Sequence, residues 1–267
     1  MKEKPMKIGI IGTGLIGANL ARKWTAAGHT VRIANDFDMA ARDELAAEIG
    51  ATAVALTDVV ADVDAVVVTI PLNAIPSLPK GLFDALPSDA ILIDTSNYFP
   101  FRDQIIPAIE DGMVESLWVE QQIGRPIIKA FNHQLAYTQA NEGHPAGTPG
   151  RMAMSVYGDD TEAKKTVIGL VDDLGFDGID GGPLAESWRQ QPGTPAYCTE
   201  LTAPELRDAL GRAVKDRSPK LRALSIKRLE DFGDGFLASL GKGEYTLGRT
   251  SKDVVQMYRS LESETDI

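Results

Sequence analysis

Lys7-Ile8-Gly9-Ile10-Ile11-Gly12-Thr13-Gly14-Leu15-Ile16-Gly17 is the stretch that decides the fold. A short apolar run ends in Gly-x-Gly-x-x-Gly, and Ala18, Leu20, Ala21 and Trp24 then follow at helical spacing. Strand, glycine turn and helix in that order form a dinucleotide-binding fingerprint. Gly12 allows a sharp turn out of the strand, Gly14 leaves the backbone open to a pyrophosphate, and Gly17 lets the helix pack close to the sheet. The helix start then offers unpaired N–H groups and partial positive charge to the phosphates. Gly12, Thr13, Gly14, Leu15, Ile16 and Gly17 are therefore read as the cofactor loop.

Outward from this stretch, strand and helix signals alternate. Strands are expected at Lys7–Gly12, Thr30–Ala34, Thr52–Val54, Asp64–Ile70, Ala90–Asp94 and Pro126–Phe131. Helices are expected at Leu15–Ala27 and Met39–Ile49, closed by Gly28 and Gly50, and at Leu82–Leu86 and Arg102–Glu110. The unbroken apolar run Asp64–Ile70 suits a parallel strand buried on both faces. The rhythm predicts an α/β fold, a doubly wound parallel (Rossmann) sheet, over residues 1–140. Asn141–Arg151, rich in glycine and proline, reads as a loop or a domain boundary. Residues 141–267 are then a smaller C-terminal unit, α/β at first (strands Met152–Tyr157 and Phe176–Asp180 around a helix at Glu162–Leu174) and helical beyond Thr202.

The chain has 267 residues and a net charge of −11, and 43% of it is apolar. That length and apolar content allow a sizeable core. The acidic balance argues against nucleic acid or an anionic membrane as the main partner, while leaving room for phosphate held by backbone amides. The single cysteine, Cys198, excludes an internal disulfide, and the widely spaced His29, His133 and His144 argue against a metal site. No apolar run approaches the ~20 residues that span a bilayer. The charged N-terminus runs straight into the first strand, so no signal peptide is read, and a soluble, cytoplasmic protein is expected.

Further motifs carry a family resemblance. They are Thr69-Ile70-Pro71, Asp94-Thr95-Ser96-Asn97-Tyr98, Lys129-Ala130-Phe131-Asn132, Tyr157-Gly158-Asp159-Asp160 and Gly181 through Arg189. With the glycine loop, these resemble the deazaflavin (coenzyme F420)-dependent NADP oxidoreductase family over about residues 7–196. The resemblance implies a cleft at the strand ends, a homodimer, and direct hydride transfer between NAD(P)H and a planar partner such as a deazaflavin or flavin. It places Asn132, with the adjacent His133, near the nicotinamide. A histidine there is either a general acid or a bonded loop residue.

Thr69, Ile70 and Pro71 sit where a strand meets its loop, the usual ligand end of an open α/β sheet, so they are read as facing the ribose and nicotinamide. Ser96 and Asn97 are cleft or turn residues. Ser187, Trp188 and Arg189 offer an aromatic plane and a cation to a second ligand, or else serve as core. Asn35 and Asp36 occupy the ribose-selectivity position. An acid there bonds the ribose of NAD, whereas the family places a base, so the sequence leans to NAD; Arg32 or Arg42 would have to compensate for NADP. Three functions stay open: a reductase with a deazaflavin, flavin or quinone-like acceptor; a dehydrogenase of a small hydroxyacid or imine, with Lys129 or His133 as proton donor; and a non-catalytic dinucleotide sensor.

Overall fold

The computed structural model describes residues 4–264. Eight strands form one sheet: β1 (Lys7–Ile11), β2 (Thr30–Ala34), β3 (Thr52–Ala53), β4 (Ala65–Val68), β5 (Ile91–Asp94), β6 (Ile128–Lys129), β7 (Ala153–Tyr157) and β8 (Asp177–Gly182). Their order is β3-β2-β1-β4-β5-β6-β7-β8. The first six are parallel and follow the Rossmann order, whose switch point lies between β1 and β4. β7 runs antiparallel to β6, pairing Lys129 with Tyr157, and β8 is parallel to β7. The sheet therefore continues across the boundary expected at 140/141. The Gly- and Pro-rich segment there is a surface loop between α6 (Ala136–Asn141) and β7, not a break between cores.

The remaining helices are α1 (Leu15–Ala27), α2 (Met39–Ile49), α3 (Pro100–Asp103), α4 (Pro107–Glu110), α5 (Glu115–Ile123), α7 (Thr161–Asp173), α8 (Ala203–Arg212), α9 (Ser218–Glu230), α10 (Phe236–Gly241) and α11 (Ser251–Ser260). Strand pleating sends alternate residues to opposite faces. Ile8, Ile10, Ala65 and Val67 pack with Leu20, Trp24 and Leu45 of α1 and α2 and with Val167 and Leu170 of α7. Val66, Val68 and Leu92 meet Leu72, Ile75, Phe83 and Val119 on the other side. Both faces are covered, as the apolar run in β4 requires.

The helix expected at Arg102–Glu110 is two single turns. Gln104 takes a left-handed φ of 63° between them. Pro107 also holds Ile106 extended, because its ring clashes with a helical residue before it. α5 has no counterpart among the expected helices. Its first-turn Glu115 and Ser116 are buried polar residues that interrupt the apolar stripe by which a helix is read. Beyond residue 200, Leu206 and Ala209 of α8 pack on Ala153 and Tyr157 of β7, while Leu221, Leu229, Phe236, Val254 and Met257 form a separate cluster around Tyr197 and Cys198. Capping boxes at Thr202/Glu205 and Thr250/Asp253 start α8 and α11. No helix among the described residues is long and apolar enough to cross a membrane.

Candidate active site

The glycine loop leaves β1 at the switch point, beside the end of β4. Gly12 has φ of 102°, and a Cβ there would lie 2.8 Å from Thr69 Oγ1, so only glycine fits. A Cβ on Gly17 would lie 2.0 Å from the Gly12 carbonyl oxygen. Both glycines are demanded by the chain's own packing. Gly14 is different: its φ of −66° is ordinary, and a Cβ there meets nothing within 4 Å. Nothing within the protein requires glycine at 14, and the space above it is open. The first N–H groups of an α-helix have no intrahelical acceptor, and α1 has neither a capping side chain nor an acid in its first turn. Backbone donors beside a bare glycine suit a diphosphate. The residues present fit a nicotinamide dinucleotide.

Thr69 holds this loop. Its Oγ1 donates to the Gly12 carbonyl at 2.7 Å, and its N–H donates to Ile11 O at 2.8 Å. At the selectivity position, Asn35 Nδ2 donates to Thr13 Oγ1 at 2.7 Å, closing over the loop, while Asp36 is exposed. The two nearby arginines are committed elsewhere: Arg32 donates to Ala61 O, and Arg42 donates to Val54 O and pairs with Asp43.

A cavity of about 400 Å³ opens at the carboxyl ends of the strands, lined by Leu15 and Ile16 of the loop together with Asn97 and Asn132. Phe131 lies at its floor with a left-handed φ of 62°, an unusual conformation for a bulky residue. This bend turns the chain from β6 toward the cavity. Asn97 and Asn132 form an amide pair: Asn97 Nδ2 donates to Asn132 O at 2.8 Å, and Asn132 Nδ2 donates to Asn97 Oδ1 at 3.0 Å. Gln190 fixes Asn132 further, donating to its Oδ1 at 2.8 Å and accepting from its Nδ2 through the Gln190 carbonyl. Both amide hydrogens of Asn132 are thus engaged, while half-buried Asn97 keeps one donor free.

Several expected site residues lie elsewhere. His133 is fully buried. Its Nε2 accepts the Ser155 N–H at 3.0 Å, which places the proton on Nδ1, 3.2 Å from the Ala196 carbonyl. Burial lowers its pKa from 6.5 to about 4. A neutral ring with both nitrogens engaged cannot serve as a general acid at the nicotinamide; His133 ties β6 to the 194–198 loop instead. Lys129 is also fully buried, its Nζ 2.7 Å from Asp94 and also donating to the Ser96 carbonyl. Nearby Glu115 accepts the Tyr98 N–H, and burial, opposed by Lys129, raises its pKa to about 7. Ser96 is buried and lines no part of the cavity.

Ser187, Trp188 and Arg189 are outside the cavity as well. Ser187 Oγ donates to Ser116 Oγ of α5, Trp188 packs on Val114 and Ala213, and Arg189 stacks on Trp188 at 4.4 Å while pairing with Glu186. They brace the turn that carries Gln190. Gln190 lies in the Trp-Arg-Gln-Gln run, but its contact with Asn132 spans 58 positions and has no local signature. Other unforeseen lining residues include Phe99, Phe101, Tyr137, Tyr197 and the C-terminal Leu237 and Tyr245. A wider groove of about 700 Å³ runs past Lys4, Lys7, Asp64 and Asp89 at the amino ends of the strands. Open α/β sheets bind ligands at the opposite end.

Residues 7–98 match the family described as NADP oxidoreductase, coenzyme F420-dependent. The protein YjhV of Escherichia coli (strain K12) is 45% identical over 71 residues, 27% of this chain and 52% of its own length, so the match spans about half of that relative. A hypothetical protein from Sinorhizobium meliloti is 27% identical with a TM-score of 0.62, over 74% of this chain and 96% of that one. A protein from Arthrobacter sp. FB24, provisionally named an F420-dependent NADP-reductase, is 21% identical with a TM-score of 0.54, over 91% of this chain and 100% of that one; it shares the fold. The segment that matches the family, residues 7–98, is the one that holds the glycine loop and the end of β4.

Proposed function

We propose that the protein is an NAD(P)-dependent oxidoreductase that passes a hydride between a nicotinamide and a planar redox partner of deazaflavin, flavin or quinone type. The observation that carries this is Gly14, a glycine that the chain's own packing does not need, set among helix-terminal donors. A bound nicotinamide supplies the hydride; the protein binds, orients and shields. The α1 terminus takes the diphosphate, Leu15 and Ile16 wall the ring, and Asn97, oriented by Asn132, offers its free amide to the nicotinamide carboxamide. Hydride transfer needs chiefly two rings held face to face, so few catalytic side chains are required.

The hydroxyacid or imine reading asks for a proton donor, and both candidates, Lys129 and His133, are buried and committed. The exposed acid at 36 and the engagement of Arg32 and Arg42 favour NAD over NADP. The resemblance extends the proposal to a cytoplasmic homodimer, whose mass sedimentation measures. Titration with NADH and NADPH followed by nicotinamide fluorescence, then stopped-flow oxidation of the reduced cofactor by flavins, a deazaflavin and quinones, and reduction of NAD⁺ by hydroxyacids, tests the function. Binding of NADH and oxidation by a planar acceptor are expected. Turnover with a hydroxyacid and no planar acceptor refutes it.

A further inference from the structure

We propose that the second ligand of this cleft is a neutral planar ring without an anionic tail, a quinone or aromatic carbonyl compound, and that the C-terminal helices form the wall on which it lies. The proposal rests on reading the glycine loop as the nicotinamide site.

Residues 218–258 close one side of the cavity beside that loop. Ile226 and Leu229 of α9, Leu237 and Leu240 of α10, and Tyr245 line it. The contact with the loop is direct: a Cβ on Gly243 would lie 2.9 Å from Leu15 Cδ2. Tyr245 meets Tyr137 of α6 edge to face at 5.7 Å, so the wall from the C-terminal segment and the wall from the sheet join through two aromatic rings. Phe99 and Phe101 continue the aromatic surface, and Phe101 is 59% exposed. Flat apolar surface of this kind suits a planar ring.

Charge then decides which planar ring. Among the described residues that line the cavity, Arg102 alone is charged. Its guanidinium pairs with the buried Asp103 at 2.7 Å and donates to the Asn97 carbonyl at 2.6 Å. Lys242, between two lining glycines, is exposed and outside the wall. A phosphate or carboxylate tail entering here would lose water with no uncommitted cation in the lining to replace it. The net charge of −11 adds long-range repulsion. A neutral ring meets neither cost. In the balanced step, the C4–H bond of the dihydronicotinamide breaks with its electron pair. The quinone gains that hydride and one proton from water at the open mouth. The nicotinamide is oxidised, and the quinone becomes a hydroquinone.

Riboflavin and flavin mononucleotide share one ring and differ by a phosphate, which makes them a matched pair. Each is titrated calorimetrically, as is the neutral naphthoquinone menadione, into the full chain saturated with NAD⁺, where no turnover occurs. Riboflavin is expected to bind at least about tenfold tighter than its phosphate, a difference of about 1.4 kcal/mol. Menadione is expected to bind as well. Tyr245→Ala and, separately, Tyr137→Ala are expected to weaken menadione at least about fivefold and to leave NAD⁺ affinity unchanged. Equal or tighter binding of the phosphate, or menadione affinity unmoved in both tyrosine variants, overturns the proposal while NAD⁺ binding stands. Failure of NAD⁺ itself to bind overturns the glycine-loop reading and takes this proposal with it.

Discussion

Replacing Gly14 by alanine separates folding from binding at one atom. The added Cβ meets no protein atom within 4 Å, and the backbone there, φ −66° and ψ −173°, is one that alanine adopts freely. Removing glycine's extra freedom from the unfolded chain stabilises by about 0.4–1 kcal/mol, and alanine's poorer fit at an N-cap costs a few tenths. The melting temperature is therefore expected to stay within about 2–3 °C of wild type, at about 2–4 °C per kcal/mol for a chain of this size. Cofactor binding faces the opposite outcome. The methyl group occupies the space through which a diphosphate reaches the first N–H groups of α1. Losing one charge-assisted hydrogen bond costs about 1.5–3 kcal/mol, which is about 10- to 150-fold in Kd. Thermal unfolding and an NADH titration on the same preparation measure both quantities. Gly17→Ala is the control, since its Cβ would sit 2.0 Å from Gly12 O and must disturb the fold itself. An unfolded Gly14→Ala variant, or a folded one whose Kd moves less than twofold, refutes the argument that this glycine is kept for a ligand.

Three more expectations concern the buried titratable groups. Lys129→Met leaves Asp94 in the core without its partner and should cost about 3–5 kcal/mol, read in chemical denaturation. Adding Asp94→Asn should recover much of that loss, and a double variant no more stable than the single one would show the pair is not the cause. Glu115 is raised from 4.5 to about 7 in the folded state. Its contribution is fully present below pH 4.5 and is lost as pH rises to about 7, because over that range the folded chain holds a proton that the unfolded chain has released. Glu115→Gln should therefore gain stability relative to wild type across that window, on the order of 2–3 kcal/mol, and parallel curves would reject the assignment. His133 acts with the other sign. Its pKa is lowered to about 4, so its contribution is present above pH 6.5 and lost as pH falls towards 4. Turnover between pH 7 and 8 is expected to show no imidazole titration, and a step there that His133→Gln abolishes would restore the proton-donor role.

Local chemistry explains which parts of the fold could be read in the chain. β1, the glycine turn and α1 each carry their own cause: an apolar run, a φ of 102° at Gly12, and helical periodicity to the left-handed Gly28 cap. β4 and β5 declare themselves by unbroken apolar stretches, and α8 by its proline and Thr202/Glu205 box. α5 is silent because two of its buried positions are polar. The boundary placed at 140/141 follows from composition, which marks a loop without saying whether a sheet resumes on the far side.

What the sequence by itself determined was the dinucleotide-type loop and the parallel core around it, since those depend on residues within a few positions of one another. Tertiary structure alone decided the rest. Asn132 and His133 are adjacent in the chain, yet the left-handed bend at Phe131 turns one to the cavity and leaves the other locked beneath it. Trp188 and Arg189 brace a turn, while their neighbour Gln190 reaches back 58 positions to hold Asn132. The acceptor wall comes from helices more than 200 residues beyond the loop they cover. A side chain's role depends on burial and on partners distant in sequence, and neither is set until the chain has closed on itself.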